Sequence, residues 1–148
     1  MTTTGQRYLL DVNVWLALFD DQHVHNARTG AWLDQPRLRI ATCPLTENGV
    51  LRIMNIPAFN RQSVAGFSAV RMMMTKVCDE IDHEFWPDDV SLRSDDVLDW
   101  GRVSGHNQVT DAYLLALAVK NGGALASFDQ RIALSAVRGA TEIHLALL

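Results

Sequence analysis

Thr110–Ile132, TDAYLLALAVKNGGALASFDQRI, is the stretch that decides the fold. Thr110 carries a hydroxyl able to cap a helix, and Asp111 places a negative charge in the first turn, where the helix dipole favours it. From Ala112 to Val119 the run is apolar on nearly every side except at Tyr113, and a helix without a polar face belongs in the interior. Asn121-Gly122-Gly123 ends it, since these residues tolerate left-handed dihedrals. The short apolar run Ala124–Ser127 then reads as a buried strand that stops at Phe128-Asp129. A buried helix followed at once by a buried strand is half of an α/β unit. Asp129 therefore falls just past the carboxyl end of a strand, the edge at which open α/β sheets place their ligands.

The chain has 148 residues, 48% of them hydrophobic. That is enough for one soluble domain, residues 1–148, with a sizeable core. No run reaches the ~18 apolar residues of a membrane span, and the start, MTTTGQRYLL, lacks the pattern of a signal peptide. Cys43 and Cys78 form no CxxC pair and have no metal-type spacing to the histidines, so they read as reduced, packed thiols of a cytoplasmic protein. The net charge of −4 is local. Residues 79–99 hold nine acids against Arg93 alone, whereas residues 1–78 hold eight basic and five acidic side chains. The total therefore does not exclude a polyanionic substrate.

Working outward, the elements alternate. Arg7–Asp11 reads as a buried strand and Asn13–Phe19 as an apolar helix. A polar turn at Asp20–His23 leads to a helix from His25 to Asp34 with Ala27, Ala31, Trp32 and Leu33 inward. Leu38–Thr42 is a strand, and Pro44 suits the first turn of the next helix. That helix, Leu45–Asn55, turns Leu45, Val50, Ile53 and Met54 to the core. A longer helix spans Ser63–Val77 with Phe67, Val70, Met74 and Val77 on one stripe. Phe85-Trp86 reads as a strand, Asp95–Val103 as helical, and Glu142–Leu145 as the last strand. Such alternation implies a parallel sheet covered on both faces.

Four acids fall at element ends. Asp11 closes the first strand, Glu47 lies one turn into the third helix, Asp111 begins the central helix, and Asp129 follows a strand. Carboxyl ends of parallel strands share one edge, as do the helix starts beside them. Four carboxylates meeting there without Lys or Arg between them repel one another unless a cation sits among them. Hard oxygen donors select Mg²⁺ or Mn²⁺. Each acid also has a purely structural reading: Asp11 as a helix cap, Asp111 as a dipole partner, Asp129 as the cap of a turn at Gln130–Leu134, Glu47 as a solvated helix residue. The functional reading rests on all four together. Ser127 and Thr110 are polar neighbours suited to help hold a metal or its water. His23 and His25 fall in a polar turn, His106 in a loop, and Met72–Met74 reads as adaptable packing. An aspartyl phosphotransferase would want an acid two residues after Asp11, where Asn13 stands, and a nucleotide-binding module would want glycines after the first strand.

The segments DVNVWLAL, TEN, TDAYLLALA and SFDQRI, in this order and spacing, resemble the PIN domain, and within it the VapC toxin branch. The resemblance covers essentially the whole chain. It implies a three-layer α/β/α fold with a parallel sheet of about five strands and a Mg²⁺- or Mn²⁺-dependent endoribonuclease. It also implies an acidic site of Asp11, Glu47, Asp111 and Asp129 with Asn13 and Thr110 as helpers, a VapB-type antitoxin partner, and a homodimer. A domain of this kind that only binds RNA or a partner is the alternative. One departure concerns Glu47: bulky apolar residues usually continue that helix in the family, whereas Asn48-Gly49 follow here. The basic side chains outside residues 79–99, Arg52, Arg61 and Arg71 among them, are expected to meet RNA phosphates. The apolar surfaces of Val14–Phe19 and Ser63–Val77 are expected to leave a groove for the antitoxin.

Overall fold

The computed structural model describes residues 5–57 and 66–148. Five parallel strands form one sheet in the order β3-β2-β1-β4-β5. They are β1 (Arg7–Leu10), β2 (Arg39–Thr42), β3 (Asp82–Phe85), β4 (Ala124–Ser127) and β5 (Leu145–Leu147). The helices are α1 (Val12–Phe19), α2 (Asn26–Leu33), α3 (Pro44–Met54), α4 (Phe67–Glu80) and α5 (Val109–Lys120). Strand alternation divides the core into two layers. Tyr8, Leu10, Ile40, Ala124 and Ala126 pack with residues of α1 to α4 on one face. Leu9, Ala41 and Leu125 pack against α5 on the other. The expected three-layer α/β/α arrangement is therefore observed.

The apolar α5 is buried from Ala112 to Ala118, as its lack of a polar face requires. Gly122, at φ +68°, turns the chain after it. Next to it, Gly123 lets the backbone pass close to Arg7 and Trp86. At the opposite edge, the exposed strand β3 is fastened by Arg7, which is nearly buried. Arg7 donates to the Ile40 carbonyl at 2.9 Å, and it pairs with Asp82 at 3.0 Å and Glu84 at 3.4 Å. A close approach of helices accounts for Gly49. A Cβ there would lie 2.7 Å from Val12 Cγ2, so glycine allows α3 to lie against α1.

Several sequence expectations are corrected. Ala27 and Ala31 are exposed, whereas Thr29 and Leu33 form the buried side of α2. Trp32 is half-buried with its ring edge-on to Tyr8 at 5.4 Å. Leu45 and Phe67 are exposed, at 36% and 65%, because each lies in the first turn of its helix, beyond the reach of the sheet. The expected start of α4 at Ser63 lies outside the described residues. Asp95–Val103 is not a helix. Its backbone bonds are divided between local turns and a neighbouring segment, with Asp99 N–H donating to the Ala136 carbonyl and Arg138 N–H to the Val97 carbonyl. Only Trp100–Arg102 makes a short 3-10 turn. Glu142–His144 is likewise a 3-10 turn, closed by Thr141 N–H donating to His144 Nδ1 at 2.9 Å, and the last strand begins at Leu145. Phe85 ends β3, but Trp86 lies just past it, buried at 2%. No helix among the described residues is long and apolar enough to cross a membrane.

Gly123 offers a stability test. A Cβ there would sit 2.5 Å from the Arg7 carbonyl oxygen and 2.8 Å from Trp86 Cη2. Gly123→Ala is predicted to destabilise the fold by about 1–3 kcal/mol through overpacking, read from urea unfolding. An unchanged midpoint would mean that the turn between α5 and β4 can shift without cost.

Candidate active site

Asp11 follows β1, and its backbone is fixed by an N–H bond to the Ala126 carbonyl at 3.0 Å. Asp11 is the N-cap residue of α1, as its structural reading has it, though its side chain makes no capping bond to the helix. Its carboxylate, 4% exposed, instead accepts from Ser127 Oγ at 2.8 Å. The same Ser127 oxygen accepts from Asp129 N–H at 3.1 Å. The parallel register sets Leu10 beside Ala126, which brings the two strand ends level. Burial pushes the Asp11 carboxyl above its ordinary value, the Ser127 bond opposes this, and the Asp129 charge adds to it.

Asp111 comes to the same edge from the first turn of α5. Burial, then the charges of Asp11 and Asp129, push its carboxyl up to about 6. The charges of Asp11 and Asp129 thus both reach Asp111 at this edge of the sheet. Asp129 differs from the other two. Arg131 forks onto its carboxylate, with Nε at 3.1 Å and Nη2 at 3.3 Å, and the Arg131 N–H donates to it at 2.8 Å. These bonds hold the Asp129 carboxyl below the usual range. The turn-capping role foreseen for Asp129 is thus real, and it coexists with the cluster.

The structure does not bring Glu47 to these three. Positions 47 and 49 of a helix lie roughly 200° apart, and Gly49 faces Val12 beside Asp11. Glu47 therefore looks the other way. It accepts from Thr42 Oγ1 at 2.7 Å, and the same hydroxyl lies 2.7 Å from His83 Nε2. With Arg71, Cys78 and His83 it lines a separate cavity of about 230 Å³. Burial, then the charges of Glu47 and Asp79, push the Cys78 thiol up to about 11. Thr110 and Asn13 are exposed near the cluster, and α5 is entered through Gln108 rather than capped by Thr110. His25 stacks on Phe128 with ring centroids 4.3 Å apart, next to Asp129 in sequence. Sequence reading missed Arg131, although its place two residues after an acid is a frequent signal of a local side-chain turn.

The chemistry of the donors fits a hard divalent cation. Carboxylate oxygens and a hydroxyl line the site, and two of the three acids are raised first by burial and then by neighbouring carboxylates, the second of which a cation would relieve. Among the described residues, no group of three or more His, Cys, Asp or Glu side chains is placed so that it could hold a metal ion by itself. An ion that retains several waters and takes only one or two carboxylates suits such an open arrangement.

A buried helix packs on a five-stranded parallel sheet, with Asp11, Asp111 and Asp129 at the carboxyl edge of that α/β domain. The PIN domain family model matches residues 8–138, and this chain belongs to that family, in its VapC-type branch. It is 43% identical over 143 residues to ribonuclease VapC44 of Mycobacterium tuberculosis, covering 96% of this chain and 99% of that one. Identity to ribonuclease VapC39 of the same organism is 40% over 138 residues, covering 91% and 97%. Among solved structures, VapC20 of M. tuberculosis, described as a sarcin-ricin loop cleaving toxin, superposes with a TM-score of 0.58 at 15% identity, over 92% of this chain and 98% of that one. PAE2754 from Pyrobaculum aerophilum gives 0.55 at 20% identity, over 99% and 93%. These two likenesses establish the fold.

The raised Asp111 carboxyl makes a stability prediction for the metal-free protein. A carboxyl whose folded value exceeds its unfolded one contributes stability that is complete below the unfolded value, 3.8, and lost as pH rises through about 6. Asp111→Asn should therefore raise Tm in EDTA at pH 7.5 by roughly 2–4 °C, about 1 kcal/mol after discounting for partial exposure. Near pH 4 it should raise Tm little. A lower Tm at pH 7.5 would mark Asp111 as a helix-start residue only.

Proposed function

We propose that this chain is an endoribonuclease toxin that hydrolyses RNA phosphodiester bonds with Mg²⁺ or Mn²⁺ at Asp11, Asp111 and Asp129. The observation that carries the reading is the electrostatic coupling of these three acids at the carboxyl edge of the sheet, in a chain whose relatives are named ribonucleases. A divalent cation bound there supplies Lewis-acid activation of a water and offsets charge on the phosphate. The protein's part is positioning. Ser127 fixes the Asp11 carboxylate and the Asp129 backbone with one hydroxyl, and α5 presents Asp111 from a rigid, buried helix. Glu47, which the family resemblance adds to the site, acts from the neighbouring Thr42–His83 cluster on this reading, outside the metal's coordination.

Basic side chains supply contacts to the RNA backbone. Arg52 and Arg71 are exposed on α3 and α4, while Arg61 lies outside the described residues. A VapB-type antitoxin is the partner the family supports. Val14–Ala17 are buried, so the surface available to the antitoxin narrows to α4, where Phe67 and Met72 are exposed at 65% and 62%. A homodimer and a cytoplasmic location complete the proposal, the latter in keeping with two free cysteines.

Incubating the purified protein with a mixed RNA pool tests the activity. Cleavage is expected with Mg²⁺ or Mn²⁺, is abolished by EDTA, and falls by at least about 10²-fold in Asp111→Asn while RNA binding survives. An Asp111→Asn protein that cuts at the normal rate would remove the site. RNA binding without metal-dependent cleavage by the native chain would favour a domain that only binds.

A further inference from the structure

Arg131 lies two residues past Asp129 and grips it from both backbone and side chain. Its N–H and Nε donate to Asp129 Oδ1 at 2.8 and 3.1 Å, and its Nη2 donates to Oδ2 at 3.3 Å. The Arg131 side chain is 75% exposed, against 20% for that of Asp129. The guanidinium is thus the more exposed partner and caps the carboxylate on its solvent side. Its field also reaches Asp111, whose acidity it favours.

We propose that Arg131 seats an RNA phosphate beside the three aspartates, and that in the metal-free protein its guanidinium is parked on Asp129. The inference rests on the ribonuclease reading above. A divalent cation that takes the Asp129 carboxylate must displace the fork. An ion pair this exposed is weak, so the exchange is cheap. The backbone bond from Arg131 N–H does not depend on the guanidinium and keeps the residue at the mouth of the site after the side chain leaves. The released guanidinium then carries five donors in a planar fork that matches phosphate oxygens. A phosphate approaching three carboxylates is repelled, and a freed Arg131 offsets that repulsion at the place where it is strongest. One side chain thereby serves as counter-ion before metal binding and as phosphate contact afterwards.

Arg131→Gln and Arg131→Lys in the full chain test this with three readouts. The first is the Mg²⁺ concentration at half-maximal thermal stabilisation without RNA. The others are kcat and KM on one RNA at saturating Mg²⁺, and the salt dependence of RNA binding. In Arg131→Gln the Mg²⁺ midpoint should fall severalfold, because no fork has to be displaced. Its kcat/KM should drop roughly 10- to 100-fold, and its salt slope should fall by about one. Arg131→Lys should keep the slope, since the charge remains, and recover only part of kcat/KM, since the bidentate geometry is lost. Both variants should melt near the native temperature in EDTA. A Mg²⁺ midpoint unchanged in Arg131→Gln overturns the parked state. A kcat/KM and salt slope unchanged in Arg131→Gln overturn the phosphate contact. A native chain that cleaves while Arg131→Gln cleaves equally well strikes this inference alone, whereas a native chain that does not cleave strikes the ribonuclease reading with it.

Discussion

The Ser127 hydroxyl donates to Asp11 Oδ2 at 2.8 Å and accepts from Asp129 N–H at 3.1 Å, so one buried oxygen spans the ends of β1 and β4. The rest of the site depends on that span. Asp11 is almost wholly removed from water, where an ionised carboxylate is costly without a donor. Ser127 supplies one and at the same time sets the turn that carries Asp129. The bond can form only because β1 and β4 are central neighbours in register. That pairing in turn requires α5 and α1 to cover the two faces of the strands. Sheet order, helix burial and acid placement are therefore one constraint seen at three scales.

A second division of labour concerns charge. The acids of residues 79–99 make the chain net negative, yet many of them serve the fold. Asp82 and Glu84 hold Arg7 and so fasten the edge strand. Asp88 accepts from Leu45 N–H at the start of α3 and from Tyr113 Oη on α5, both at 3.0 Å. Asp89 pairs with Lys120 at 3.0 Å. These carboxylates are engaged by donors from other elements, whereas Asp11 and Asp111 have no arginine or lysine bound to them directly in the hydrogen bonds and ion pairs observed among the described residues. That contrast separates acids that bind the fold together from acids that carry no basic partner among the described residues.

Most of this was legible in the sequence because strand ends are legible. A short apolar run that stops at an acid locates the acid at a known edge, and Asp11 and Asp129 followed from that alone. Asp111 followed from the polar start of an otherwise apolar helix. Glu47 did not, because a position inside a helix has a direction as well as a height. That direction depends on how α3 is rotated against α1, which Gly49 and Val12 settle by contact. The same limit explains Leu45 and Phe67, apolar residues in first turns that reach past the sheet. Asp95–Val103 misled for another reason. Its composition suits a helix, but its backbone pairs with residues 136–138, a long-range choice that local pattern does not record. Arg131 was overlooked because a basic residue in a loop carries no periodicity.

The central claim is that Asp11, Asp111 and Asp129 hold one divalent cation between them. Paramagnetic broadening of backbone amide signals by substoichiometric Mn²⁺ tests it most directly, without requiring an RNA substrate. The account predicts that signals near residues 11, 111 and 129 broaden together, before any others, and that excess Mg²⁺ restores them. Broadening centred on Glu47 and His83, or on the acids of residues 79–99, with these three signals unaffected, would contradict it.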